Sequence, residues 1–466
     1  MSIQTGFDNA LLGRYDKPGP RYTSYPSALQ FSQDFTAADL RREAMRSNEE
    51  PIPRDLSLYV HVPYCFSPCF YCGCNRIITR DLERGTAYVE RLVREAERVS
   101  QLFDRGRVVR QLHFGGGTPN FLSREAIERL VESFGKHFRF STKADRDFSI
   151  ELDPRWVREG DIAAYAAMGF NRASLGVQDF DHAVQLAINR VQSVEETLRT
   201  IEDCRKAGLR SVNVDLIYGL PRQTPGGFAA TLETIVRARP DRVAIYGYAH
   251  MPQLFKAQKQ IEETELPDAA ARVRLLRLAI DRLTAAGYRH IGLDHFALPE
   301  DDLTRALDSD SLHRNFMGYT THADCDLIGL GVSAISHIGD TYSQNFRGLP
   351  DWEYAVDQDR LPTWRGIKLD EDDVIRADVI QQVMCRGAID RIAIDERYDI
   401  EFEQYFNGAL ASLKALEKDG LVEVGEERIN VTSRGRLLLR MIAMCFDRYI
   451  HAPAAAQERP RHSRIV

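Results

Sequence analysis

The sequence predicts an α/β fold: a closed or nearly closed (β/α) barrel of parallel strands, with an extended N-terminal arm before it and a smaller, mostly helical domain after it. Three observations lead there. Strand-like apolar runs alternate with stretches of helical period at roughly 30–40 residues per unit, the rhythm of βαβ crossovers. Polar or glycine residues stand at the ends of successive predicted strands. After about residue 365 the alternation stops and longer helical patterns take over. The expected division is an arm over 1–35, a barrel over 36–365 and a C-terminal helical domain with a short hairpin over 366–466.

In the arm, Lys17-Pro18-Gly19-Pro20-Arg21-Tyr22-Thr23-Ser24-Tyr25-Pro26 holds three prolines and a glycine. These forbid helix and favour an extended segment laid over something else. Residues 57–62 read as the first strand, and 86–103 as a helix through Tyr88, Leu92, Ala96, Val99 and Phe103. Strands follow near 109–114, 148–152, 173–177, 211–217 and 242–247, separated by helices near 123–136, 155–167, 193–208 and 226–237. Cys65, Gly115–Gly117, Glu151, Gln178, Asp215 and His250 lie at or just after strand ends. In a barrel they gather at one mouth, where such folds keep their active sites. A doubly wound open sheet is the competitor. Gly329-Leu330-Gly331-Val332-Ser333-Ala334 superficially matches its phosphate-loop fingerprint, but it comes late and without βαβ context, so a tight turn is the better reading.

The C-terminal region reads as an amphipathic helix over 400–418 stopped by Gly420, a hairpin of Leu421–Val424 with Arg428–Val431, and a helix over 433–446. That order is reminiscent of a winged helix. A DNA-reading helix should be basic, whereas this one carries Glu401, Glu403 and Glu417 against two lysines, so a lid or packing domain is expected. The tail from Pro453 to Val466 is expected to fray.

Composition narrows the function classes. The 466 residues are 44% hydrophobic and 28% charged, an ordinary globular balance. Lys and Arg number 61 against 68 Asp and Glu, a net charge of −7. This is no footprint of a chain that coats nucleic acid or an anionic membrane. No apolar run approaches the ~18–20 residues of a spanning helix. No basic stretch followed by an apolar one opens the chain, so a cytoplasmic location is expected.

Cysteine usage is the strongest chemical signal. Four of eight cysteines fall in one window, Cys65-Phe66-Ser67-Pro68-Cys69-Phe70-Tyr71-Cys72-Gly73-Cys74, directly after a strand. The others, Cys204, Cys325, Cys385 and Cys445, are scattered and read as buried small hydrophobes. A structural zinc site usually takes ligand pairs from separated segments, and no second pair exists. The spacing also differs from the C-x2-C-x2-C-x3-C-P run of electron-transfer ferredoxins. Three thiolates on three irons of a 4Fe–4S cube leave the fourth iron open for chemistry, so an enzyme is favoured. From spacing alone Cys74 is open between fourth ligand, nearby acid and spectator. We place it outside the cluster shell, because a fourth thiolate fills the iron that must stay open.

The cysteine pattern resembles that of the radical S-adenosylmethionine superfamily. Within it, the chain resembles the oxygen-independent coproporphyrinogen III oxidases. The motifs are the 18–26 arm, Tyr59-Val60-His61-Val62-Pro63, Cys72-Gly73-Cys74-Asn75, His113-Phe114-Gly115-Gly116-Gly117-Thr118-Pro119, Ile150-Glu151-Leu152-Asp153-Pro154, Gly176-Val177-Gln178-Asp179-Phe180 and Asp215-Leu216-Ile217-Tyr218-Gly219-Leu220-Pro221. His313-Arg314-Asn315-Phe316, Gly318-Tyr319-Thr320-Thr321 and Gly331-Val332-Ser333-Ala334-Ile335-Ser336 continue it, so the likeness spans essentially the whole chain.

The resemblance implies a partial (β/α)6-type, TIM-like barrel. It also implies oxidative decarboxylation of two propionates of coproporphyrinogen III to vinyls in haem synthesis, with a 4Fe–4S cluster and two S-adenosylmethionine molecules. Carried over, Cys65, Cys69 and Cys72 are the cluster ligands. Tyr59, Gly116, Glu151 and Ile335 bind the cluster-bound S-adenosylmethionine, and Tyr71, Gly117, Thr118, Gln178, Arg190, Asp215 and Ala249 the second. Taken singly the residues have plainer readings: core packing for Tyr59 and His61, a turn for Gly115–Gly117, a helix cap or a Glu195 partner for Arg190. Arg21, Tyr22, His313 and Arg314 are candidates for holding the substrate's propionates. Implied partners are a cytosolic low-potential electron donor and an electron acceptor, with no nucleic acid or membrane and a monomeric state. The competing reading is a haem-binding chaperone of the same superfamily without oxidase activity. A zinc- or cluster-stabilised nucleic-acid regulator is the third, and the acidic balance argues against it.

Overall fold

A computed structural model describes residues 13–15 and 17–451. Six strands, β1 (Asp55–Val62), β2 (Val108–Gly116), β3 (Asp147–Leu152), β4 (Arg172–Gln178), β5 (Ser211–Tyr218) and β6 (Arg242–Gly247), run parallel and lie side by side in chain order. Sequential order without reversal is the winding of a barrel, whereas a doubly wound sheet reverses at a switch point. All six strands fall where the apolar runs put them, within two residues at each end.

The barrel does not close. Beyond β6 lie β7 (Arg289–Gly292) and β8 (His295–Ala297), with β8 antiparallel to β6. On the free edge of β1, β9 (Cys325–Leu330) adds in parallel, and β10 (Ile335–Ile338), β11 (Thr341–Asn345) and β12 (Thr363–Lys368) continue antiparallel. The result is a partial barrel of six βα units extended at both edges. The Gly329–Ala334 segment is the end of β9 and the turn to β10, with Gly331 at φ +94°, and no phosphate loop of a βαβ unit.

Helix α1 (Ala37–Asn48) packs on the β10–β12 extension. Crossover helices α2 (Leu82–Ser100), α3 (Arg124–His137), α4 (Asp161–Ala167), α5 (Val194–Lys206), α6 (Pro225–Ala238) and then α7 (Ala269–Ala285) cover the outer face. α2 shows why: Tyr88, Val89, Leu92, Ala96 and Val99 form one buried stripe, and Asp81 caps the Glu83 N–H. The helix expected over 155–167 is shorter. Pro154 opens a 3-10 turn capped by Asp153, Gly160 turns left-handed at φ +80°, and α4 starts only at Asp161.

The C-terminal region has its own core around α8 (Glu371–Arg386), which is capped by Asp370. The hairpin Val422–Val424/Arg428–Val431 is present, and Ala388–Asp390 adds a third strand. The helix expected over 400–418 is two pieces, Phe402–Tyr405 and Asn407–Lys418. The break at Phe406 lets the Phe402 and Phe406 rings meet at 4.7 Å, with Phe446 5.5 Å from Phe406. The 433–446 helix is a 3-10 turn over Gly435–Leu438 followed by α-helix over Leu439–Met444. There Gly435 lies so close to the Leu421 carbonyl that a Cβ would clash.

The arm packs into this second core through Tyr15, Tyr22 and Tyr25. Tyr22 donates to Asp447 at 2.9 Å, the Arg448 N–H donates to the Tyr25 hydroxyl, and Arg440 donates to the Gly19 and Pro20 carbonyls. A 3-10 turn over Ala28–Gln30 interrupts its extended course. Of the scattered cysteines, Cys204 and Cys385 are buried, as expected, while Cys325 and Cys445 are half-buried. Among the described residues no helix is long and apolar enough to cross a membrane. The Pro453–Val466 tail lies outside them.

Candidate active site

β1 delivers the chain to the cysteine loop, and short parallel strands Tyr64–Cys65 and Ile77–Ile78 close its neck. Arg76 holds the loop from inside, donating to the carbonyls of Cys69 (2.9 Å) and Cys72 (3.3 Å). From outside, the Phe70 N–H donates to Ile188 O and Asn189 donates to Pro68 O at 2.7 Å. Phe66 anchors the first turn between Phe121 and Trp156, with ring centroids at 4.7 and 4.4 Å.

The thiols of Cys65, Cys69 and Cys72 line a cavity of about 250 Å³ at the C-terminal mouth of the parallel strands. Tyr71, Gly116, Gly117, Thr118, Glu151, Gln178, Arg190 and Asp215 line the same cavity, although they come from the cysteine loop, the ends of β2, β3, β4 and β5, and the loop before α5. Exposed Cys74 also borders it, its N–H donating to the Cys72 sulfur at 3.4 Å. A second cavity, of about 140 Å³, continues down the barrel lumen and shares Glu151, Ser174, Asp215 and Tyr246 with the first.

Local backbone explains the close approach. Gly116 ends β2 at φ +110°, and a Cβ there would stand 2.5 Å from His61 Nδ1. A Cβ on Gly117 would stand 2.7 Å from the Pro63 carbonyl carbon. Only glycine lets β2 leave the sheet this close to the β1 exit, where the Gly116 N–H donates to Glu151 and the Gly117 N–H to Val62 O.

The acids and bases are tightly specified. Glu151 accepts from the Gly116 N–H (3.2 Å) and from His113 (3.2 Å), whose other ring nitrogen contacts Ser149 at 2.6 Å. Burial works to raise the Glu151 carboxyl, but these donors outweigh it and hold it below the usual range. Asp215 accepts from Ser174 (3.0 Å) and Asn213 (2.8 Å). Burial, with the Glu151 charge adding to it, lifts Asp215 to about 6. Two carboxyls facing one cavity are thus driven apart.

Arg190 pairs with Asp153 at 3.0 Å rather than with Glu195, donates to Gly176 O at 2.6 Å, and stands 3.7 Å from the Cys69 sulfur. Burial opposes the Asp153 charge, yet Arg190 and Arg155 keep that carboxyl below its usual range. The buried Nε of Arg190 has no partner among the described residues. Hydrogen bonding from Cys74, aided by Arg76, draws the Cys72 thiol down to about 6 against its burial, while burial lifts Cys65 to about 12.

Tyr59, Ala249 and Ile335 do not line the cavity. Tyr59 stacks on His113 with ring centroids at 5.8 Å and its hydroxyl meets His61 at 3.1 Å, so it borders the Glu151 side. Ile335 crosses over Gly329, the strand partner of Tyr59. Ala249 connects through Gln258, which donates to both the Tyr71 and Ala249 carbonyls. His250 turns away to Tyr248 and Glu263. Of the propionate candidates, Arg21 is paired with Asp294, Tyr22 with Asp447 and His313 with Gln381, while Arg314 stacks on Tyr319.

Gln258, Arg76, Arg155 and Asp153 take part in the site without having been singled out. Asp153 sits two residues after Glu151 at a strand end, a readable signal. Gln258 lies in a 3-10 turn with no local pattern to mark it.

The donor set fits an iron–sulfur cluster. Among the described residues no three Cys, His, Asp or Glu side chains converge closely enough to hold one metal ion. Three cysteine thiols from one loop lining one cavity are the donor chemistry of an iron–sulfur cluster.

Comparison with known proteins agrees. Residues 59–235 match the Radical SAM superfamily and 369–438 the HemN C-terminal domain. The chain is 45% identical over 467 residues to the oxygen-independent coproporphyrinogen III oxidase of Escherichia coli strain K12, covering 100% of both chains. It is 44% identical over 460 residues to that of Pseudomonas aeruginosa, covering 99% of each. The solved structure of the E. coli enzyme (HemN), described as a radical SAM enzyme, superposes with a TM-score of 0.91 at 45% identity over 96% of this chain and 100% of that one. With both family segments present and its relatives matched from end to end, the chain belongs to the oxygen-independent coproporphyrinogen III oxidase family of radical SAM enzymes.

Proposed function

We propose that the chain converts two propionate side chains of coproporphyrinogen III to vinyl groups, giving protoporphyrinogen IX without molecular oxygen. The observation that carries this reading is the cavity that the thiols of Cys65, Cys69 and Cys72 share with Glu151, Gln178, Arg190 and Asp215 and that continues into the barrel lumen. When bound, a 4Fe–4S cluster and S-adenosylmethionine supply the one-electron chemistry that yields a 5′-deoxyadenosyl radical. Each propionate loses a hydrogen atom from its β-carbon, carbon dioxide and one electron, the last to a separate acceptor.

The residues divide as follows. Cys65, Cys69 and Cys72 hold the cluster, and Cys74 stays outside its shell. Tyr59, Gly116, Glu151 and Ile335 hold one S-adenosylmethionine, where Glu151, kept ionised by His113, suits a ligand ammonium. Tyr71, Gly117, Thr118, Gln178, Arg190, Asp215 and Ala249 hold a second. There the unpartnered Arg190 Nε suits a carboxylate, and the acceptor oxygens of Asp215 suit ribose hydroxyls. The barrel over 36–365 carries the chemistry, and the C-terminal domain, 366–466, holds the arm, 1–35, through Tyr22–Asp447 and Tyr25–Arg448 among the described residues. The protein works as a cytoplasmic monomer fed by a low-potential donor.

Anaerobic reconstitution followed by addition of reductant, S-adenosylmethionine and coproporphyrinogen III tests this. Protoporphyrin fluorescence after oxidation, with accompanying 5′-deoxyadenosine, is expected. Tight stoichiometric haem binding with neither product would overturn the reading in favour of a chaperone.

A further inference from the structure

A buried guanidinium without a counter-charge is costly, and proteins avoid it unless an anion arrives. Arg314 is in that position. It is only 6% exposed, and its Nε and Nη1 are buried with no hydrogen-bond partner among the described residues. Its guanidinium lies 5.2 Å from the centre of the Tyr319 ring. The other cations near the lumen are already engaged: Arg21 by Asp294, Arg172 by Asp147 and Asp302, Arg242 by Asp301.

Its position relative to the cluster cavity is defined by an aromatic path. Tyr319 meets His295 edge to face at 5.2 Å, and His295 meets Tyr246 in the same way at 6.0 Å. Tyr246 is shared by the lumen and the thiol-lined cavity. Arg314 also borders a cavity of about 580 Å³, within the size of ordinary ligand pockets. Polar atoms along this route lack partners too, His295 Nδ1 and Asn213 Oδ1 among them. The lumen thus holds unsatisfied polar groups and is walled by Tyr319, and the unpaired cation lies directly behind that ring, on the wall of the larger cavity.

We propose that Arg314 receives a carboxylate of the tetrapyrrole that is not reacting, anchoring the macrocycle so that a different propionate reaches the thiol-lined cavity. This rests on the oxidase reading and deepens it. Of the four propionates, the one undergoing reaction must leave its carboxylate unclamped so that carbon dioxide can depart. A distant guanidinium instead binds ground state and transition state alike. It lowers KM without changing the chemical step.

The test compares wild type, Arg314→Gln and Arg314→Lys in the anaerobic assay, with cluster iron measured in each. Arg314→Gln should raise KM for coproporphyrinogen III on the order of 10- to 100-fold, the worth of a charge-assisted pair, with kcat within about threefold. Arg314→Lys, which keeps the charge and serves if the glutamine variant does not fold, should restore part of that loss. The wild type should also bind coproporphyrin, used as a stable probe, more tightly than its tetramethyl ester, and Arg314→Gln should shrink that preference. An unchanged KM in a folded variant, or a loss confined to kcat, would overturn the assignment. Wild-type protein that makes no protoporphyrinogen would instead overturn the oxidase reading itself.

Discussion

The side-chain amide of Gln258 donates to the Tyr71 carbonyl at 2.9 Å, fastening the cysteine loop to the segment that follows β6. The same Nε2 reaches Ala249 O at 3.2 Å, and the Gln258 Oε1 accepts from the Met251 N–H at 2.5 Å. Gln258 is 2% exposed, so water cannot replace these bonds. Gln258→Leu leaves two carbonyls and an N–H unpaired, at about 1–3 kcal/mol per buried group. We expect kcat/KM to fall at least about tenfold with cluster iron retained; the anaerobic turnover assay, with urea titration and iron analysis on the same preparation, checks it. Wild-type kcat/KM in this variant would mean the tether does not position the loop.

Single substitutions of Cys65, Cys69 or Cys72 by Ser should each abolish cluster incorporation and turnover. The fold should survive, because the apolar core under the sheet does not involve these thiols. Cys74→Ser should keep the cluster. Iron and sulfide analysis beside far-UV circular dichroism distinguishes the four variants, and a stable, fully loaded Cys69→Ser protein would contradict the ligand set.

Behind β1, Tyr88 donates to His61 O at 2.7 Å and accepts from the Val332 N–H at 3.0 Å. One hydroxyl thus joins the strand entering the cysteine loop to the turn that leads to Ile335. Tyr88→Phe should cost about 1–3 kcal/mol, since both backbone groups are buried. A loss below about 0.5 kcal/mol in denaturant titration would show that the two groups find other partners.

Glu95 completes that turn, accepting from the Gly331 N–H, Asn345 and Trp352 at 2.8, 2.7 and 3.2 Å. Burial nevertheless lifts its carboxyl to about 8. A folded-state pKa above the unfolded one means that Glu95 contributes stability fully below about pH 4.5 and loses it as pH rises through about 8. The stability of the wild type relative to Glu95→Gln should therefore decline between pH 5 and 8 (urea titrations in paired buffers). A difference that stays flat across the window would contradict the assignment.

The parallel strands were legible because each is a short apolar run ended by a polar or glycine residue, and burial on both faces leaves little ambiguity. The β9–β12 extension was not. After β9 its strands run antiparallel, outside the βα rhythm, and β11, Thr-Tyr-Ser-Gln-Asn, is mostly polar yet wholly buried through tertiary pairing. Periodicity also overran real ends where backbone chemistry intervened, at Pro154 and Gly160 before α4 and at Phe406 in the C-terminal region. In the site, strand-end residues such as Glu151 and Asp215 were visible because the barrel brings such ends together. Gln258 was not, because its role depends on a contact with Tyr71 across 187 residues. The Arg190 partner was misjudged for the same reason: Glu195 is near in sequence, but Asp153 is near in space.

The central claim, that the thiol-lined cavity performs radical oxidation of coproporphyrinogen III, is tested most directly by measuring vinyl product and 5′-deoxyadenosine together under strict anaerobiosis, in wild type and in Cys69→Ser. The account predicts both products rising in step in the wild type and neither in the variant. Protoporphyrinogen formed by Cys69→Ser, or formed by wild type without 5′-deoxyadenosine, would contradict it.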